Sequence, residues 1–158
     1  MSLCCDVLAA LKGKTLVTAE SCTGGGIGAA LTAIPGSSEI YKGGIISYTN
    51  EVKENILGVD AKLLTHCGAV SSDVAAAMAK GVRRLLHADV AVSVTGLAGP
   101  GGDEFENPVG TVYIGYEDNS GSCVEKYLFS GDREAVRAQA IQAALQIVLK
   151  NNCKKACC

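Results

Sequence analysis

The chain has 158 residues, 48% hydrophobic and 19% charged, with a formal net charge of −2. That length and composition fit one domain spanning 1–158 with one core, and they exclude a disordered chain. The slightly acidic balance offers no basic field for nucleic acid, and no apolar run approaches the roughly 18 residues of a membrane span.

Aromatic residues make up only 4% of the chain and tryptophan is absent, so Ala, Val, Ile and Leu must build the core. Nineteen glycines point to turns and backbone-lined binding loops. The segment Met1 to Asp6 has no basic stretch followed by an apolar one, so it does not resemble a secretory signal. A cytoplasmic setting is expected, with the eight cysteines as reduced thiols. The C-x-x-x-C-C tail at 153–158 is either a frayed terminus or a set of soft-metal ligands.

Leu3, Val7, Leu8 and Leu11 have helical spacing, which predicts a helix over 3–12 ended by Gly13. A short apolar strand follows over 14–19. The Gly-rich run E-S-C-T-G-G-G leads into a small-residue helix over 27–34, with Thr23 as its predicted N-cap. After a P-G-S-S turn at 35–38, a second strand is predicted over 43–48. Asn50 is placed as the cap of a helix over 51–57 that Gly58 terminates. Asp60 starts another short helix.

Ser71 or Ser72 caps a longer helix with Val74, Met78, Val82 and Leu85 on its buried side. The near-continuous apolar run at 88–95 predicts a central strand. A loop over 96–108 comes next. Two strands flanking D-N-S-G at 118–121 form an antiparallel hairpin, and a last helix runs over about 132–150.

This order predicts an α/β fold: a three-layer α/β/α sandwich around a mixed, mostly parallel sheet that includes one antiparallel hairpin. The expected pocket lies beyond the carboxyl ends of the parallel strands. Ser21, Tyr48 and the 96–101 loop would meet there.

Ser21 lies between a strand and a helix start, where unpaired amides carry partial positive charge. The amides of Thr23, Gly24, Gly25 and Gly26 are candidates for holding a phosphate or an oxyanion. No G-K-[ST] follows, so the run is not a P-loop, and Ala19 and Glu20 exclude a G-x-S-x-G elbow. The other reading is a junction that merely contains serine.

A serine nucleophile needs a base. His66 and His87 both fall at predicted helix ends, where a surface or capping role suits them. Lys53 is the stronger candidate: the positive end of its helix, together with partial burial, would lower its pKa. Tyr48 could then donate or relay a proton. Against this, Lys53 could be a solvated helix lysine and Tyr48 an ordinary strand aromatic.

Arg133 and Arg137, four apart, suit bidentate binding of phosphate or carboxylate, or form a solvated face with Glu134. After Thr95, which ends the strand, the run G-L-A-G-P-G-G with Gly96 and Gly99 could wrap a ligand with backbone amides or could simply be a mobile turn. The carboxylates at 103–106 are either metal ligands or simply solvated.

Taken in order, T-A-E-S-C-T-G-G, P-G-S-S, Y-T-N-E-V-K, G-A-V-S, S-V-T-G-L-A-G-P-G-G, N-P-V-G-T and G-D-R-E-A-V-R resemble one family. It is the CinA C-terminal family, also called PncC-type nicotinamide-nucleotide amidohydrolases. The resemblance covers roughly 5–150 and leaves out the cysteine-rich ends.

It implies a three-layer α/β/α domain in the stand-alone form, without the N-terminal molybdopterin-binding-like domain that many members carry. It also implies hydrolysis of the carboxamide of nicotinamide mononucleotide to nicotinic acid mononucleotide and ammonia, in pyridine-nucleotide salvage. The family's catalytic residues fall on Ser21, Tyr48 and Lys53, and the chemistry requires no metal and no cofactor. Thr23, Gly24, Gly25, Thr95, Gly96, Gly99, Arg133 and Arg137 are then the expected contacts to a small-molecule nucleotide.

No nucleic-acid or membrane partner is expected, and a homo-oligomer is compatible with the sequence. Two rival readings stay open. One is a non-catalytic nucleotide-binding or regulatory module linked to competence or DNA damage. The other is a thiol amidase using Cys22.

Overall fold

The computed structural model describes residues 2–153. Its elements are α1 (Leu3–Ala10), β1 (Leu16–Glu20), α2 (Gly26–Thr32), a 3-10 turn (Ser37–Glu39), β2 (Tyr41–Ile46), α3 (Asn50–Asn55), α4 (Ala61–Cys67), α5 (Ser72–Leu86), β3 (Val90–Gly96), β4 (Thr111–Asp118), β5 (Gly121–Leu128) and α6 (Arg133–Cys153). Among these residues no helix is long and apolar enough to cross a membrane.

The five strands form one sheet in the order β2-β1-β3-β4-β5. β2, β1 and β3 pair in parallel, and β4 and β5 add an antiparallel hairpin. β4 alone therefore runs against the other four. The apolar run of β3 occupies the central position, as its sequence predicts.

Alternation along β3 makes the three layers. Val90, Val92 and Val94 face one core with Val7 and Leu8 of α1, Ile27 and Leu31 of α2, and Val136, Ala140 and Ile147 of α6. The opposite face is small: Ala91 packs with Val74, Met78 and Val82 of α5. Ser93 Oγ donates to the Ala75 carbonyl at 2.6 Å and Thr95 Oγ1 to the Ala69 carbonyl at 2.8 Å. A buried hydroxyl without an acceptor would be costly, and these two are satisfied by carbonyls of α5 and of the turn before it. On β4, a Cβ at Gly115 would fall 2.5 Å from the Ala75 carbonyl oxygen, so the closeness of α5 depends on small residues.

Several local expectations are corrected. Ser71 caps α5 as predicted, but Leu85 is exposed and Leu86 packs against the buried side instead. At α3 the cap is Thr49, not Asn50; its Oγ1 accepts the Val52 amide at 3.3 Å. Thr23 does not cap α2. That position belongs to Gly25, which has a φ of 97° that disfavours a side chain. β2 ends two residues earlier than expected, which leaves Ser47 and Tyr48 beyond the strand.

The parallel strands deliver the residues of the site. The Ser21 amide donates to the Val94 carbonyl at 3.0 Å, and the Ser47 amide donates to the Glu20 carbonyl at 2.7 Å. The ends of β1, β2 and β3 are thereby tied side by side, at the edge where open α/β sheets bind ligands.

Candidate active site

Ser21 follows β1 directly, and Lys53 projects toward it from α3. Lys53 is 1% exposed and Ser21 is 8% exposed. Lys53 Nζ lies 3.0 Å from Ser21 Oγ, within reach for proton transfer. The same nitrogen donates to the Ser47 carbonyl at 2.7 Å and to the Tyr48 carbonyl at 3.4 Å.

Burial pulls the Lys53 amine from the ordinary 10.5 down to about 8, while the nearby Cys22 thiol pulls weakly the other way. Of the two causes the sequence suggests, burial accounts for the shift; the positive helix end does not, since α3 has only six residues and Lys53 stands in its last turn. The two carbonyls match the two N–H bonds of a neutral amine, which leaves its lone pair for the serine hydroxyl.

The loop that carries Ser21 is held from behind by two groups whose roles the sequence did not disclose. Glu20 is 2% exposed. Its carboxylate accepts from Thr23 Oγ1 at 2.7 Å, from the Ile27 amide at 2.8 Å and from the Gly28 amide at 3.1 Å. A buried carboxylate at the start of α2 thus takes the first helical amides, which have no partner inside the helix. On the other side, Arg137 Nε donates to the Cys22 carbonyl at 3.0 Å and Nη2 to the Thr23 carbonyl at 3.2 Å.

These contacts correct part of the expected substrate set. Thr23, Gly24, Gly25 and Arg137 are absent from the wall of the cavity described below; the Thr23 hydroxyl and the Arg137 guanidinium are committed to the loop. Of the amides proposed for an anion, Gly24 and Gly26 donate to the Ser21 and Thr23 carbonyls. Among the described residues, no backbone carbonyl accepts from the amides of Cys22 or Thr23.

A cavity of about 1110 Å³ opens from Ser21 and Lys53. Tyr48, Thr95, Gly96, Gly99, Phe105 and Arg133 are on its wall, with Leu64 and Thr65 of α4. The Tyr48 hydroxyl is not placed on Ser21 or Lys53. It accepts from Arg133 Nη2 at 3.1 Å, and Arg133 Nη1 donates to the Gly99 carbonyl at 2.8 Å. Arg133 therefore joins the start of α6, the loop after β3 and the segment after β2.

Cys22 also lines the cavity, but burial pushes its thiol up to about 11, against the lowering pull of its own amide, Arg137 and Lys53. His66 and His87 both close helices, as expected. Asp103 of the acidic loop serves as a local acceptor for the amides of Phe105 and Asn107. Cys157 and Cys158 of the C-terminal motif lie outside the described residues.

Comparison with known proteins shows the family and the fold. The family model of the CinA C-terminal domain matches residues 3–152. A CinA-like protein of Geobacter sulfurreducens is 48% identical over 134 residues, which is 85% of this chain and 32% of that protein. The chain spans about a third of the length of the curated relatives it matches.

Among solved structures, a CinA superfamily protein of Klebsiella pneumoniae superposes with a TM-score of 0.93 at 36% identity, covering 96% of each chain. A competence or damage-inducible protein of Enterobacter asburiae gives 0.92 at 33% identity, covering 94% of this chain and 95% of the other. The chain belongs to the CinA C-terminal domain family.

Proposed function

We propose that this domain is an amidohydrolase that converts nicotinamide mononucleotide and water to nicotinic acid mononucleotide and ammonia. The observation that carries the proposal is the 3.0 Å contact between a buried, readily deprotonated Lys53 and Ser21 at the inner end of a large cavity.

With its amine near 8, roughly a tenth of Lys53 is neutral at pH 7. The neutral amine takes the Ser21 proton as Oγ bonds to the carboxamide carbon. The amide of Cys22, next in the chain and with no backbone carbonyl as acceptor, supplies the donor for the oxyanion of the tetrahedral intermediate. Lys53 then returns its proton to the departing nitrogen, and ammonia leaves a Ser21 ester. Water, deprotonated by the same lysine, hydrolyses the ester and restores Ser21.

Every proton in this sequence moves through Lys53, so the steps call on no cofactor. Arg133 has donors left over after its two contacts and supplies the cation for the substrate phosphate. Tyr48 orients Arg133, a more indirect role than proton relay. Cys22 is a poor rival nucleophile, because its thiol stays protonated. We place the activity in the cytoplasm, where such a thiol-rich chain remains reduced, and in the salvage of pyridine nucleotides.

The names of the relatives refer to competence and damage, and the second reading is a regulatory module whose site binds a nucleotide without turnover. Ammonia release separates the two. The proposal expects ammonia and nicotinic acid mononucleotide from wild type and loss of both in Ser21→Ala with the fold intact. Equal ammonia release from the two proteins rejects the serine mechanism. Saturable binding without any release supports the second reading.

A further inference from the structure

We propose that Phe105 is the surface on which the substrate's pyridinium ring stacks, and that it selects cationic rings over neutral ones. The inference rests on the amidase reading above and deepens it by assigning the ring contact.

Phe105 lies in the loop between β3 and β4 and lines the same cavity as Ser21 and Lys53. It is 43% exposed in a chain with two phenylalanines and no tryptophan. Rings of this size usually bury most of their surface. Here the loop fixes the ring in the cavity wall. Asp103 Oδ1 accepts the Phe105 amide at 3.1 Å and the Asn107 amide at 3.0 Å, while Asp103 Oδ2 accepts from Asn107 Nδ2 at 2.7 Å.

Beneath the ring lies Gly68. A Cβ built there would come within 2.5 Å of Phe105 Cδ2 and 2.6 Å of Cε2. The ring thus rests on bare backbone, and Phe105 contributes to the cavity wall.

The nicotinamide of the mononucleotide is N-glycosylated, so its ring is planar and positively charged. A phenyl face attracts such a ring by stacking and through its quadrupole. The 1,4-dihydro form of the same nucleotide keeps the carboxamide, ribose and phosphate but has a neutral ring. Phe105 therefore separates two ligands that Arg133 and the serine loop treat alike.

The test is titration calorimetry of nicotinamide mononucleotide and its dihydro form against Ser21→Ala, which binds without turnover. The double variant Ser21→Ala/Phe105→Leu keeps an apolar side chain and removes the ring, and Ser21→Ala/Phe105→Tyr restores the ring. We expect Phe105→Leu to weaken the cationic ligand about 3- to 10-fold and the neutral one less than about twofold, with Tyr restoring the ratio. An unchanged ratio in Phe105→Leu overturns the assignment of Phe105 while leaving the amidase reading standing. Equal weakening of both ligands does the same. Failure of both ligands to bind Ser21→Ala rejects the nucleotide reading and this inference with it.

Discussion

At the inner end of the cavity Ser21 and Lys53 are 8% and 1% exposed, whereas at the mouth Tyr48 is 58% exposed and Phe105 43%. Backbone places the inner pair: Ser21 by the Val94 carbonyl, and Lys53 by the carbonyls of Ser47 and Tyr48. Side chains place the mouth, with Arg133 on Tyr48 and Asp103 under the loop of Phe105. Desolvation can reset a proton affinity only where water is excluded, so the proposed chemistry belongs to the buried strand ends. The proposed recognition of a charged ligand belongs where side chains still meet solvent.

Substitutions at the two ends should therefore fail in different ways. The largest effect is expected inside. Lys53→Met should lower kcat for ammonia release by about 1,000-fold or more, with little change in KM. Lys53→Arg should be no better, since a guanidinium does not give up its proton near neutral pH. Activity within tenfold of wild type in either variant would remove Lys53 as the base.

The pH dependence sharpens the same contrast. With Lys53 near 8, kcat/KM should rise about tenfold per pH unit below that value and level off above it. Stability should follow a related course. Between about 8 and 10.5 the folded protein binds fewer protons at Lys53 than the unfolded chain, so its stability rises with pH. The burial cost, on the order of 3 kcal/mol, is present in full below that window. Denaturant unfolding should therefore show wild type gaining stability relative to Lys53→Met from pH 8 to pH 10, and a constant difference would argue against the shift.

At the mouth the effects should be smaller. Arg133→Ala is expected to raise KM about tenfold or more, with a modest change in kcat, because a phosphate contact is made in ground and transition states alike. Tyr48→Phe removes only the hydroxyl on Arg133 and should change KM by less than about fivefold. If Tyr48→Phe instead matched Lys53→Met, the hydroxyl would be acting on protons, and the division between the two ends would not hold.

The part of this design that could be seen in the sequence was the part carried by side-chain types at short range. Ser21 stood out between a strand and a glycine run, and Lys53 stood out just after Tyr48. The apolar run of β3 announced a central strand. What stayed hidden was work done by backbone and by distant elements. The Ser47 carbonyl has no residue-type signature. In the sequence Glu20 serves only to exclude a G-x-S-x-G elbow, and the fold shows its carboxylate at the start of α2.

Arg137 was grouped with Arg133 because both lie on one helix face. One turn of α6 separates a guanidinium behind the serine loop from one at the cavity mouth. For Lys53 the expectation of partial burial holds, whereas the dipole half of the argument needs a longer helix than α3.

The most direct test of the account is to follow the Lys53 amine itself by nitrogen NMR across a pH titration of lysine-labelled protein, assigned by its loss in Lys53→Met. A midpoint near 8 is predicted, well below the ordinary 10.5. A midpoint in the ordinary range around 10.5 would mean that no neutral amine faces Ser21 at working pH, and would contradict the proposed mechanism.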